Sequence, residues 1–140
     1  MKAGAADSQA IEVFGDSDRP VAYVVGGELL PTATQFVTPP GLPQQVGFVA
    51  YPAGGTIARH RHRSIERHLS GTSEVLVVRK GRCEVDLFDD DGTPLATREL
   101  RCGDVLILVR GGHGFRMLED TVLLEVKQGP YTGLDEKERF

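Results

Sequence analysis

Three of the four histidines in this chain fall between residues 60 and 68, and the fourth, His113, follows a Gly-Gly pair. Alternate side chains of an extended strand share a face, so His60 and His62 in the stretch ARHRHR lie opposite the arginines around them. Because arginine side chains must reach water, we expect these two histidines to point inward. Two neutral imidazoles one strand step apart on an inner face are spaced to bind a single cation.

Glu74 and His113 complete a candidate ligand set. Glu74 is the first residue of the stretch EVLVV, where a period of two aligns it with Leu76 and Val78. A carboxylate on an otherwise apolar strand face is costly unless it is paired or bound to a metal. Three imidazoles and one carboxylate suit Fe(II), Mn(II), Ni(II), Zn(II) or Co(II). The sequence therefore predicts one divalent transition metal, bound by His60, His62, Glu74 and His113.

The elements that must position these ligands are short strands separated by turns. β-Branched and aromatic residues fill the strands, turn residues such as PPGLP and DDDG separate them, and no segment of about ten residues shows a helical apolar period. The predicted strands are 12–15, 21–25, 34–38, 45–52, 56–62, 73–81, 82–89, 97–104, 105–109, 113–118 and 122–129. We expect an all-β sandwich or small barrel.

The length and the charge of the chain limit the kinds of protein to which it can belong. A chain of 140 residues is about one domain, which we place at 11–131, with a flexible arm at 1–10 and a tail at 132–140. The net charge of −4 argues against a nucleic-acid partner, and no apolar run is long enough for a membrane span. The first residues lack the features of a secretory signal, so we expect a cytoplasmic protein.

Glycines flank the candidate ligands, and together they stand in the order Gly54, His60, His62, Glu74 and Gly81. This order resembles the first motif of the cupin superfamily, as do the five residues between Gly54 and His60 and the six between Glu74 and Gly81. The chain departs from that motif in having eleven residues between His62 and Glu74, where the family has three or four. Glu66 lies at the family distance from His62 but has no glycine seven positions on, and it stays the alternative carboxylate.

The stretch GDVLILVRGGH is similar to the second cupin motif through Gly103, Gly111 and His113, although the motif's proline is absent and the last interval is one residue short. The resemblance spans about residues 54–118. It implies a cupin double-stranded β-helix, which is a jelly-roll barrel, around the metal.

The last part of the chain carries a second likeness. LLEVKQGPYTGLDEKERF is similar to the closing segment of the type II phosphomannose isomerase domain, with Glu125, Val126, Gly129, Tyr131, Gly133 and Phe140 aligned in pattern. The order of Lys127 and Gln128 departs from it. Those enzymes are cupins that interconvert aldose and ketose phosphates with a divalent metal, so the resemblance implies a carbohydrate-like small-molecule substrate.

Three functions fit these residues. The first is an isomerase or epimerase acting on a sugar, a sugar phosphate or a nucleotide sugar, in which a side-chain base moves a proton next to a carbonyl. Glu66 and His68 are the candidate bases, although His68 is equally well read as an ordinary loop histidine. The second is an Fe(II)-dependent dioxygenase acting on a small polar molecule. The third is a cupin that binds a small ligand without catalysis.

Two alternatives concern the surroundings of the site. If Leu123, Glu125 and Lys127 face the interior, Lys127 binds an anionic group of the substrate, with Tyr131 at the rim. If Val122, Leu124 and Val126 face it, Lys127 is a surface residue beside Glu125. Apolar outward residues such as Val75 and Val77 need a cover, which is either a second copy in a homodimer or the N-terminal strands.

Overall fold

The computed structural model describes residues 10–133 and 136–140, so most of the predicted arm at 1–10 lies outside it. The chain divides into two compact units. One contains the described residues up to Leu29 and from Thr72 onward, and the other is Leu30–Gly71. Strands in both units are antiparallel and there is almost no helix, which confirms the predicted all-β class.

The described part of the first unit contains eight strands in two sheets. The strands are β1 (Ile11–Asp16), β2 (Arg19–Val25), β5 (Glu74–Lys80), β6 (Arg82–Phe88), β7 (Pro94–Arg101), β8 (Val105–Leu108), β9 (Gly112–Met117) and β10 (Val122–Lys127). The five-stranded sheet has the order β1-β2-β8-β5-β10 and the three-stranded sheet has the order β7-β6-β9. Neither sheet closes on itself among the described residues.

The register of the five-stranded sheet fixes which side chains share its inner face. Residues directly opposite each other in antiparallel strands point to the same side, so the pairings define rows across all five strands. One inner row is Phe14, Ala22, Leu108, Glu74 and Lys127, and the next is Glu12, Val24, Leu106, Leu76 and Glu125. The middle of the inner face is therefore apolar. Charged side chains, namely Glu74, Glu125 and Lys127, lie at the edge formed by β5 and β10.

The core lies between the two sheets. Leu76, Leu106 and Leu108 from the large sheet pack in one buried cluster with residues of the small sheet, among them Val85 and Leu87. Removing the apolar surface of such side chains from water supplies about 1.5–3 kcal/mol each.

An ion pair lies at the edge of the inner face formed by β1. Arg98 on β7 forms an ion pair of 3.0 Å with Glu12, and its guanidinium lies 5.2 Å from the ring centre of Phe14. Glu12 thus has a partner within the protein. Glu74, at the opposite edge, is the carboxylate of these rows that lies beside a histidine.

The outer face of the same sheet is apolar. Its two rows are Val13, Tyr23, Ile107, Val75 and Val126, followed by Ile11, Val25, Val105, Val77 and Leu124. Tyr23, Val25 and Ile107 are buried, whereas Leu124 and Val126 on the edge strand β10 are about half exposed.

The second unit contains little regular structure. Its strands are β3 (Gln35–Phe36) and β4 (Gly47–Phe48), which are much shorter than the predicted strands at 34–38 and 45–52. The predicted strand at 56–62 is wrong, because the structure has no strand between β4 and β5. All side chains from 51 to 72 are exposed. In ARHRHR the period of two alternates one polar residue type with another, so neither face supplies apolar surface for burial.

Within residues 10–133 and 136–140 we find no helix with the length and hydropathy of a membrane span.

Candidate metal centre

Glu74 and His113 meet at the charged edge of the sandwich. Glu74 begins β5 on the inner face, and His113 is the second residue of β9, directly across from Leu87 of β6. His113 Nε2 lies 3.3 Å from Glu74 Oε2, and the Glu74 side chain is only 14% exposed. The two facing sheets thus bring together two of the four predicted ligands.

The surroundings of the pair set its charge state. The pKa of Glu74 is raised to about 7, chiefly by burial and then by a hydrogen bond with the Glu125 carboxyl and the charge of Glu125, while the charges of Lys127 and Lys137 act in the opposite direction. Burial also lowers the pKa of His113 below the usual histidine range. Near neutral pH the pair is therefore a neutral imidazole beside a partly protonated carboxyl rather than a fixed ion pair. A neutral imidazole keeps the lone pair that a metal needs.

Strand β10 presents its polar side to this pair. The register places Glu125 opposite Leu76 and Lys127 opposite Glu74, both on the inner face, while Leu124 and Val126 point outward. This decides between the two alternatives for Lys127, whose side chain faces the interior. Its Nζ lies 4.0 Å from Glu125 Oε1. Glu125 was missed as a site residue, although it shares its strand face with Lys127 and the sequence shows this.

His60 and His62 lie in the second unit, and both are exposed, so the expectation that they point inward is wrong. They nevertheless stay together, with ring centres 5.3 Å apart. His60 Nδ1 lies 2.8 Å from the carbonyl oxygen of Ala58. Because a carbonyl oxygen only accepts hydrogen bonds, Nδ1 is the donor in this contact, and in the neutral tautomer Nε2 keeps the lone pair that a metal would bind.

The other predicted site residues are exposed. Glu66 and His68 lie in the segment without regular structure before β5, and Tyr131 follows β10 with 77% of its surface exposed. Across the described ranges, no three His, Cys, Asp or Glu side chains gather into a metal-binding group. The four-ligand site therefore stays a prediction, of which the structure describes two pairs, each within its own unit.

A side-chain clamp holds the ends of β5 and β10 next to Glu74. The backbone N–H of Ser73 donates to Gln128 Oε1 at 2.7 Å, and Gln128 Nε2 donates to Ser73 Oγ at 2.8 Å. Ser73 is buried, so its polar groups depend on this partner.

We expect Gln128→Leu to lower the free energy of unfolding by about 1–3 kcal/mol, because it leaves buried polar groups of Ser73 without partners. Urea unfolding measures this change. The double variant Ser73→Ala/Gln128→Leu also lacks the hydroxyl that Gln128 contacts. Its loss of unfolding free energy should therefore be smaller than the sum of the losses in Ser73→Ala and Gln128→Leu. Full additivity would show that the two side chains do not act as a pair.

Comparison of the chain with models of known protein families, with curated proteins and with solved structures found no match. The function is therefore inferred from the chemistry of its own residues.

Proposed function

We propose that this protein is a metal-dependent enzyme of the cupin type, with a jelly-roll fold, in which His60, His62, Glu74 and His113 bind one divalent transition metal. The observation that carries the proposal is the Glu74–His113 pair. A largely buried carboxylate at the charged end of the inner face, 3.3 Å from an imidazole, is an arrangement that a cation would stabilise.

The donor set fits such an ion. His113 is neutral near pH 7, and His60 in its neutral form has a lone pair on Nε2. A cation beside Glu74 would favour the ionised form of its carboxyl group. When bound, the metal would supply a Lewis acid that polarises a carbonyl oxygen of the substrate. Nickel, iron, manganese, zinc and cobalt all accept this donor set.

The reaction we propose is isomerisation or epimerisation of a sugar, a sugar phosphate or a nucleotide sugar. Such a reaction removes a proton from the carbon next to a carbonyl group and returns it to a neighbouring position or to the opposite face. Glu66 and His68 are the candidate bases, since a carboxylate or an imidazole can accept such a proton. Lys127 faces the interior and is suited to bind an anionic group of the substrate, with Tyr131 at the rim.

The first test is elemental analysis of the untagged protein and of His60→Ala/His62→Ala. We expect about one metal ion per chain in the parent and a loss of at least tenfold in the variant, since two of the four ligands are gone. Arg59→Ala/Arg61→Ala, which changes the same segment but none of the proposed ligands, is the matched control and should keep the metal.

Absence of metal after reconstitution with each of the five ions would refute the metalloenzyme and favour a module that binds a small ligand. The identity of the bound ion and the need for oxygen distinguish isomerisation from dioxygenation. Isomerase activity that persists without oxygen supports the proposal, whereas iron together with oxygen consumption by a small polar substrate would replace it by dioxygenation.

We also propose that two copies of the chain associate through the exposed part of the outer face of the five-stranded sheet, along the edge strand β10. The two outer rows consist of apolar side chains with no charged residue, and the part along β10 is half exposed. In a homodimer with a two-fold axis, the same apolar surface of each copy would cover that of the other.

Leu124→Lys/Val126→Lys is expected to convert a dimer into a monomer, because it places two charges where two copies would meet. Size-exclusion chromatography with light scattering measures the mass. Leu118→Lys, which changes an exposed apolar side chain outside these rows, is the matched control and should stay dimeric. A monomeric parent protein, or a dimeric double variant, would contradict the proposed interface.

A further inference from the structure

Arg110 lies in the turn that connects β8 to β9, three residues before His113, and its side chain is only 19% exposed. Its guanidinium group contacts three acceptors. Nη1 donates to Asp89 Oδ1 at 2.9 Å and to Asp90 Oδ2 at 2.6 Å, and Nη2 donates to the carbonyl oxygen of Arg19 at 2.6 Å. Asp89 and Asp90 belong to the turn between β6 and β7, and Arg19 begins β2. Arg110 therefore links three separate segments of the chain.

Asp90 also holds the backbone of the β8–β9 turn directly. The N–H of Gly111 donates to Asp90 Oδ1 at 3.1 Å, while Oδ2 accepts from Arg110 and, at 3.2 Å, from Arg19. Gly111 has a φ of +75°, and an added Cβ there would collide with the carbonyl oxygen of Phe88. The turn thus combines a conformation that favours glycine with a side-chain hydrogen bond that holds it in place.

This turn determines where β9 begins. In the register between β6 and β9, Gly112 pairs with Phe88 and His113 pairs with Leu87. Leu87 is fully buried, so His113 directly across from it points to the inner side, where its Nε2 lies 3.3 Å from Glu74 Oε2. Only Gly112 separates His113 from the held turn. Because bonds to a metal tolerate deviations of only about 0.2 Å, a small shift of the turn would weaken binding through His113.

We propose that Arg110, Asp89 and Asp90 form a clamp that positions His113 as a metal ligand. The clamp acts through the backbone of residues 111–112, and none of its three side chains belongs to the proposed ligand set, so all three are positioning residues. The inference rests on the proposed function and deepens it, because it assigns the control of one ligand's position to residues outside the site. Groups that orient a ligand commonly change metal affinity by about 10–100-fold when they are removed.

The test measures two properties of the full chain, namely its Zn(II) affinity by competition with a chromophoric chelator and its visible absorption spectrum with Co(II) bound. We expect Arg110→Met to weaken Zn(II) binding at least about tenfold and to change the Co(II) spectrum, which depends on the geometry of the ligands. A residue that only stabilised the fold would leave the spectrum of the folded protein unchanged. Arg110→Lys keeps a positive charge beside Asp89 and Asp90, so it should restore part of the affinity.

Asp90→Ala is a second variant, at a side chain that is 47% exposed, and it removes the hydrogen bond to Gly111 while leaving Arg110 in place. We expect it to weaken Zn(II) binding as Arg110→Met does. Arg98→Met is the matched control. It removes the arginine of another ion pair, 3.0 Å from Glu12 at the β1 edge, and should keep the Zn(II) affinity within about twofold and the Co(II) spectrum unchanged.

Phe140→Ala is a local control, because it changes a contact next to Gly112 but leaves the clamp intact. The Phe140 ring packs edge-on against Phe88, with ring centres 5.2 Å apart, and an added Cβ at Gly112 would collide with it. Phe88 and the Cβ direction of Gly112 are on the face of the three-stranded sheet opposite to that of His113. We therefore expect a Zn(II) affinity within about twofold of the parent.

Parent-like Zn(II) affinity and Co(II) spectra in Arg110→Met and Asp90→Ala would overturn the inference, as would an equal loss in either control. A parent chain that binds neither ion refutes the proposed metal site instead. Hydrogen exchange of the metal-free protein then tests the clamp by itself. The amides of residues 111–113 should exchange about tenfold faster in Asp90→Ala than in the parent, with those of β10 unchanged, and equal rates would rule out the clamp.

Discussion

Glu74→Gln is expected to lower the affinity of the protein for a divalent transition metal by at least about 100-fold, since it removes the single anionic ligand of the proposed set. Glutamine keeps the size of the side chain and its place in β5, so packing against Leu76 and Leu108 changes little. The affinity is measured by competition with a chromophoric chelator at pH 8, where the Glu74 carboxyl of the parent is mostly ionised.

Glu66→Gln is the matched control, because it makes the same chemical change at the other carboxylate that the sequence left as a candidate ligand. We expect its metal affinity to stay within about twofold of the parent, in line with a solvated side chain. A loss in Glu66→Gln with none in Glu74→Gln would move the carboxylate ligand to the loop. The inner-face pair would then be a structural contact.

Most strands of the first unit were predictable because their apolar residues follow a period of two or fill the strand completely. Val105–Leu108 is apolar on both faces, and the structure has it in the centre of the five-stranded sheet, paired on both sides. Within the stretch 56–62, residues 59–62 have a period of two that alternates arginine with histidine. These four residues offer no apolar surface to bury, and no strand forms there.

The site was predictable where the side chain's own strand fixes its direction. Alternation alone predicted that Glu74 faces inward with Leu76, and this is confirmed. For β10 alternation was not enough, since both faces of Val122–Lys127 offered a plausible interior. The pairing of Lys127 with Glu74 decided it, and register between strands far apart in sequence is information that a single strand does not contain.

The packing of Phe140 could not be predicted, for a related reason. It is one aromatic residue after a charged run, so no periodic pattern marks it. Its partners, Phe88 and Gly112, come from two different strands and become neighbours only when β6 pairs with β9. A contact of this kind depends on the tertiary fold, whereas the strands depend on local pattern.

We consider the free energy of unfolding of the metal-free protein minus that of Glu74→Gln. This difference is expected to fall by about 2 kcal/mol between pH 5 and pH 8. The pKa of Glu74 is about 7 in the folded chain, chiefly because of burial, and 4.5 is its ordinary value. Between these two values the folded protein holds more protons than the unfolded chain, so the free energy of unfolding decreases as the pH rises. Glutamine does not titrate, and the contributions of other groups largely cancel in the difference.

Urea unfolding of both proteins at pH 5, 6, 7 and 8, with a chelator present, measures this difference. A value that does not change with pH would show that Glu74 has an ordinary pKa and that its burial carries no electrostatic cost. Adding the bound metal should reverse the trend, because a cation favours the ionised carboxylate and its binding releases the proton. The same carboxyl that weakens the metal-free fold at alkaline pH would then stabilise the metal-bound one.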